Sequence, residues 1–110
     1  MVINNLKAYA NNCKFIVAKK VEDTLWFEGA DNDLAWAVET AVDLHGVIFG
    51  NISDIHVNNL GGSVHKLYRI VRKVNNELWY YDDTDDIEYA LDTAQKIGNG
   101  LVLSFTDCNI

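Results

Sequence analysis

The chain has 110 residues, of which sixteen are acidic and nine are basic, so its formal net charge is −7. With 49% hydrophobic residues it can form the core of one compact domain, and a disordered chain is not expected. The acidic charge repels phosphate backbones and disfavours direct nucleic-acid binding. The first residues lack the features of a signal peptide, and no apolar stretch reaches the length of a membrane span, so we expect a cytoplasmic protein without membrane contact.

An internal repeat covers most of the chain. Residues 15–48 align without gaps with residues 68–101, at an offset of 53 positions. The identical pairs are Lys20/Lys73, Val21/Val74, Leu25/Leu78, Trp26/Trp79, Asp33/Asp86, Ala37/Ala90, Thr40/Thr93 and Ala41/Ala94. The repeat predicts a single domain, residues 1–110, made of two copies of one unit, about 1–53 and 54–110.

Each copy begins with a predicted β-hairpin. Residues 15–21 are rich in β-forming residues and alternate between two faces, as a strand requires. The polar residues 22–24 predict a short turn, and residues 25–28 predict the returning strand. The second copy repeats the pattern, with its turn at residues 75–77.

A helix follows each hairpin. Apolar residues recur at helical spacing in residues 34–44 and again in residues 87–97. Asp33 and Asp86 are placed to cap the first turns, and we expect Gly46 and Gly98 to supply left-handed backbone at the ends. Third strands are predicted at residues 47–49 and 101–105.

These elements predict an α+β fold built from an internally duplicated β-β-α-β unit. In each unit the third strand should lie beside the first, and we expect antiparallel sheets with both helices packed on one face. The two units should share a continuous sheet or pack face to face, because a three-stranded unit alone buries too little surface. The predicted core comprises Leu25, Val38, Ala41, Leu78, Leu91 and Ala94.

No arrangement of residues predicts an enzyme. His45, His56 and His65, with Cys13 and Cys108, lack the close ligand spacing of zinc motifs. Residues 82–86 resemble half a calcium loop, but the central glycine and the distal glutamate are missing. We therefore expect no catalytic residue, no metal and no cofactor. The two cysteines suit a reducing compartment, either as buried thiols or as one bridge between the chain's ends.

Two surfaces are predicted to bind a partner. Trp36 and Tyr89 lie opposite the apolar stripes of their helices, so they should face outward as anchors or else meet each other between the helices. A second surface interleaves aromatic and acidic residues, unless Trp79 and Tyr80 belong to the hairpin core and only Tyr81 and the acids are exposed. The predicted partner-binding residues are Tyr81, Asp82, Asp83, Asp85, Glu88, Trp36 and Tyr89.

A family resemblance adds a class of function. The segment K-F-I-V-A-K-K-V-E-D-T-L-W-F, followed by an alanine-spaced helix and G-V-I, resembles small acidic proteins encoded by bacteriophages and mobile elements. The anti-CRISPR proteins and other anti-defence inhibitors are of this kind. The resemblance implies a protein of the bacterial host cytoplasm that blocks basic nucleic-acid-handling machinery without catalysis. It covers size, acidity and the lack of a catalytic motif, so no individual binding residue is carried over.

Three functions follow from the sequence. The first is a non-enzymatic inhibitor that binds a host defence protein, such as a CRISPR-Cas nuclease, and occludes a basic nucleic-acid-binding surface. The second is a homodimer or larger homo-oligomer that works as a structural or adaptor module, since the proline-free chain leaves its strand edges open to pairing. The third is a ligand-binding or enzymatic α+β domain, which requires a pocket.

Overall fold

The computed structural model describes residues 2–3, 12–62 and 64–106 and has the α+β fold. In chain order its strands and helices are β1 Val2–Ile3, β2 Phe15–Val21, β3 Thr24–Asp31, α1 Leu34–Leu44, β4 Val47–Gly50, β5 Tyr68–Val74, β6 Glu77–Thr84, α2 Ile87–Lys96 and β7 Gly100–Ser104. Between β4 and β5 lie two short 3-10 helices, Ile52–Asp54 and Leu60–Gly62. None of the described helices is long and apolar enough to cross a membrane.

The strands form one continuous sheet in the order β1-β3-β2-β4-β7-β5-β6. Each third strand lies beside the first strand of its unit, as predicted, because β2 pairs with β4 and β5 pairs with β7. The expectation of purely antiparallel pairing is wrong at two places. The third strands β4 and β7 join the two halves in parallel, and β1 pairs in parallel with β3.

The two helices lie on opposite faces of the sheet, which corrects the prediction that both pack on one face. Phe15 and Val17 pack with α1, whereas their counterparts Tyr68 and Ile70 pack with α2. The cause is the parallel pairing of β4 with β7. This parallel pairing relates the two halves by a rotation about an axis that runs along the strands. Such a rotation exchanges the two faces of the sheet.

The two halves share their irregularities as well as their regular elements. The pairing of β2 with β3 shifts between Val17 and Ala18, and that of β5 with β6 shifts between Ile70 and Val71. These positions are 53 residues apart. Each shift is a β-bulge, which leaves one extra residue on the outer strand: Glu28 in the first half and Tyr81 in the second.

The outer edges of the sheet are partly covered. β1 pairs with Thr24 and Leu25 of β3. On the other side, Asn58 of the connecting segment pairs with Trp79 of β6, and its backbone N–H donates to the Leu78 carbonyl at 2.8 Å. Together with the bulges, these pairings shorten the free edge that a second chain would need for strand addition.

The helix ends follow the prediction with one exception. Asp33 and Asp86 accept backbone hydrogen bonds as N-caps. Gly98 has a positive φ of 70°, as expected, but in the first half His45 rather than Gly46 takes the left-handed conformation, with φ of 50°. Gly46 is required for a different reason, since a Cβ there would lie 2.4 Å from the Ala18 carbonyl oxygen.

The predicted core is confirmed, because all six predicted residues are buried. The core has two parts, one under each helix. The connecting segment contributes to the part under α1 through Ile52, Ile55 and Val57. A bridge between Cys13 and Cys108 lies outside the described residues, since Cys108 is not among them.

Candidate partner-binding surface

The predicted acidic and aromatic surface is built around the bulge in β6 and the first turn of α2. Because the bulge leaves Tyr81 without a register partner, its side chain is free to point outward and is 48% exposed. Tyr89, on the first turn of α2, is 46% exposed. We call the set Tyr81, Asp82, Asp85, Glu88 and Tyr89 the acidic face.

Tyr89 attaches α2 to the hairpin. Its hydroxyl donates to the Asp82 carboxylate at 3.1 Å, and this hydrogen bond is the main cause that raises the pKa of Tyr89 above its ordinary value. The counterparts of these two residues in the first half are Trp36 and Gly29, which also meet. The hydrogen bond therefore holds both a tyrosine and a carboxylate of the acidic face in place.

Trp36 does not face outward as predicted. It is half-buried, and a Cβ on Gly29 would lie 2.9 Å from its six-membered ring, so the ring rests on the bare backbone of β3. The alternative, a contact with Tyr89 between the helices, is also excluded by the opposite placement of α1 and α2. Trp36 therefore fixes α1 onto the sheet, and it is removed from the proposed partner contact.

Hydrogen bonds to the carboxylates of Asp85 and Asp86 fix the segment between β6 and α2, where the remaining acids lie. Asp85 Oδ1 accepts from the Leu67 backbone N–H at 3.0 Å, and Asp86 Oδ1 accepts from Glu88 and Tyr89 as the helix cap. Both Asp85 and Glu88 stay exposed. The loop therefore presents carboxylates from a fixed backbone, which lowers the entropy lost on binding.

Asp83 does not belong to the exposed surface, which corrects the prediction. Its side chain is 1% exposed and lies across the sheet pair from Arg69, whose Nε and Nη2 donate to the carboxylate at 2.9 and 3.4 Å. The counterpart pair in the first half is Ile16 with Ala30. The second half has thus replaced an apolar cross-strand pair by a buried ion pair.

Aromatic rings surround this ion pair. The Arg69 guanidinium carbon lies 5.0 Å from the centre of the Phe105 ring and 5.8 Å from that of Tyr80. Burial, followed by the negative charges of Asp83 and Asp82, raises the pKa of Tyr80. Tyr68 and Ile70 pack with α2, so Arg69 between them lies on the opposite face of the sheet from Tyr89.

The sequence left open whether Trp79 lies in the hairpin core or on the surface. It is 41% exposed, so it does not belong to the hairpin core. With Arg72, its cross-strand partner, it lines a shallow cavity of about 420 Å³ that also reaches Tyr81. Its counterpart Trp26 is exposed too, so both halves place this tryptophan outside the core.

The chain matches no protein-family model, no curated protein and no solved structure. Among the described residues, no three histidine, cysteine or acidic side chains are grouped so that they could hold a metal ion. The proposed function therefore depends on the geometry of the surface and on the resemblance to small acidic phage and mobile-element proteins.

Proposed function

We propose that this protein works by binding another protein, and that the acidic face docks on a basic surface of that partner. The observation that carries the proposal is the exposed Tyr81 on its bulge, together with the carboxylates of Asp82 and Asp85, which accept from the Tyr89 hydroxyl and the Leu67 backbone N–H. Tyrosine supplies contact area with a polar tip, and fixed carboxylates supply charge complementarity, which speeds encounter and sets the orientation of docking.

The difference between the halves supports the same conclusion. At the positions of Tyr81, Asp82, Asp85 and Glu88, the first half has Glu28, Gly29, Asn32 and Ala35. Glu28 is moreover paired with Lys19 at 3.0 Å, which offsets its charge. Acidic charge has therefore accumulated on one half of a repeated scaffold.

The class of partner follows from the resemblance. Small acidic phage and mobile-element proteins of the anti-CRISPR kind bind basic nucleic-acid-handling machinery, and we propose the same role here: inhibition, without catalysis, of a host defence protein such as a CRISPR-Cas nuclease. The acidic face would then occupy a surface that otherwise holds nucleic acid. Strand-edge assembly into a homodimer finds less support, because β1 and Asn58 cover parts of both outer edges.

The proposal is tested by affinity capture with variants that keep the fold. Asp82→Asn, Asp85→Asn and Glu88→Gln together remove three charges, and asparagine retains the oxygen that Tyr89 and Leu67 use. The matched control neutralises three exposed acids of the first half: Glu22→Gln, Asp23→Asn and Asp43→Asn. Proteins captured from bacterial lysate are identified by mass spectrometry.

We expect one partner with a basic surface to be captured by the wild type and the control variant and lost by the acidic-face variant. Equal capture by all three proteins would remove the acidic face as the docking surface. Recovery of the protein itself as the only partner would favour the homo-oligomeric adaptor.

A further inference from the structure

A groove on the opposite side from α2 plays no part in the acidic face. It lies between α1, the connecting segment and the tip of the β5–β6 hairpin, and its volume is about 520 Å³, within the range of small-molecule sites. Its apolar floor consists of Leu34, Val38, Ile55 and Leu78. Its polar rim includes Glu39, His56, Lys73 and Glu77.

The other half of the molecule has the same helix-to-hairpin contact, bridged by an ion pair and lined by a smaller cavity of about 340 Å³. There Lys20 Nζ, on the β2–β3 hairpin, lies 3.6 Å from Asp92 Oδ1 on α2. The counterparts of Lys20 and Asp92, 53 positions away, are Lys73 and Glu39. In the groove these two side chains stand on facing walls, and neither makes an ion pair with any residue that the structure describes.

The comparison between halves indicates the charge of the ligand. A molecule that enters the groove covers an apolar floor and partly desolvates both Lys73 and Glu39, which is costly for a charge that gains no partner. A ligand with one charge pairs with either Lys73 or Glu39 and leaves the other side chain without a partner. A ligand with both charges pairs with both Lys73 and Glu39, as Lys20 and Asp92 pair with each other in the other half.

We propose that the groove binds a small zwitterion with an apolar side chain, of the chemical class of apolar α-amino acids. The carboxylate of the ligand pairs with Lys73, and its ammonium group pairs with Glu39. Its side chain covers the floor, where Val38, Ile55 and Leu78 keep a small residual exposure. Because such a ligand is neutral overall, the net charge of −7 does not repel it as it repels a simple anion.

The test uses the isolated protein, so its result is independent of the proposed protein partner. L-Leucine and L-phenylalanine are titrated while the methyl signals of Leu34, Val38, Ile55 and Leu78 are followed by NMR. L-Phenylalanine amide presents the cation without the anion, and N-acetyl-L-phenylalanine presents the anion without the cation. We expect saturable shifts of these methyl groups, with each single-charge analogue binding about tenfold or more weakly than phenylalanine.

Variants of Lys73 and Glu39 test which side chain of the groove pairs with each charge of the ligand. Lys73→Gln should lower the affinity for phenylalanine to that of its amide, and Glu39→Gln should lower it to that of the N-acetyl compound. The matched controls, Lys20→Gln and Asp92→Asn, should leave the affinity unchanged. Methyl dispersion reports whether each variant is folded.

Three results would overturn the proposal. The first is that neither amino acid gives a saturable shift, and the second is that the shifts map away from the floor of the groove. The third is that a single-charge analogue binds as tightly as phenylalanine.

Discussion

Replacing Asp83 by alanine should destabilise the protein far more than replacing Asp83 and Arg69 together. The Asp83 side chain is 1% exposed and that of Arg69 is 12% exposed, so the alanine variant leaves a guanidinium charge with little access to water. Removing one partner of a buried ion pair typically costs about 3–5 kcal/mol. Because Arg69 can turn partly toward solvent, the lower end of that range is expected for Asp83→Ala.

The double variant Arg69→Ile and Asp83→Ala installs the pair that the first half already uses, Ile16 with Ala30. It removes both desolvation penalties, at the loss of the contacts of Arg69 with Phe105 and Tyr80, which are worth about 0.5–1 kcal/mol each. We therefore expect the double variant to lie within about 1–2 kcal/mol of the wild type in free energy of unfolding.

Urea denaturation of the wild type, both single variants and the double variant gives the coupling between the two residues. A single variant that costs less than about 1 kcal/mol would show that the ion pair is solvated, which contradicts the described burial. A double variant whose cost equals the sum of the two single costs would show that the residues do not interact.

Leu91→Ala should lower the free energy of unfolding by about 2–5 kcal/mol in urea denaturation, because Leu91 is buried under α2; a loss below about 1 kcal/mol would mean that the helix is rotated. Gly29→Ala should cost about 1–3 kcal/mol through its clash with the Trp36 ring, and a shift in Trp36 fluorescence or its NMR signals should accompany the loss; an unperturbed ring would contradict the contact. Tyr89 has a raised pKa in the folded state, so its hydrogen bond to Asp82 contributes stability fully below the unfolded pKa of about 10 and loses it as the pH rises through the folded value. Because the pKa of Tyr80 is raised as well, spectroscopic titration should show one late-titrating tyrosine fewer in Tyr89→Phe than in the wild type.

The local structure was predictable because the chain contains two copies of the same sequence pattern. Strand, turn, helix and cap signals recur at one offset, so each interpretation of the first half could be checked in the second. Asp33 and Asp86 are caps as predicted, and the helices begin at Leu34 and Ile87 as predicted. A recurring pattern reduces the ambiguity that a single short amphipathic stretch leaves.

The relation between the halves could not be predicted from the same pattern. Periodicity says which residues of a strand share a face, but it does not say whether two copies join in parallel or antiparallel. Here β4 and β7 pair in parallel, and this pairing places the two helices on opposite faces of the sheet. The expectation that both helices share a face was therefore wrong even though every long element was correctly anticipated.

The candidate site was only partly predictable for a related reason. Tyr81 and Asp83 both lie on β6, yet the bulge turns Tyr81 outward while Asp83 faces Arg69. Helical periodicity places Trp36 opposite the apolar stripe of α1. It does not show that Gly29, 7 positions earlier on β3, leaves room for the Trp36 ring. Side-chain direction beyond a bulge depends on pairing register, which the sequence does not display.

The most direct test of the account is the affinity of the captured partner for the wild type, the acidic-face variant and the first-half control, measured by calorimetry at low and moderate salt. If the acidic face docks on a basic surface, the wild type and the control should lose affinity with salt to the same extent. The variant lacking the charges of Asp82, Asp85 and Glu88 should bind about tenfold or more weakly, with a smaller dependence on salt. Unchanged affinity together with unchanged salt dependence in that variant would contradict the proposed function.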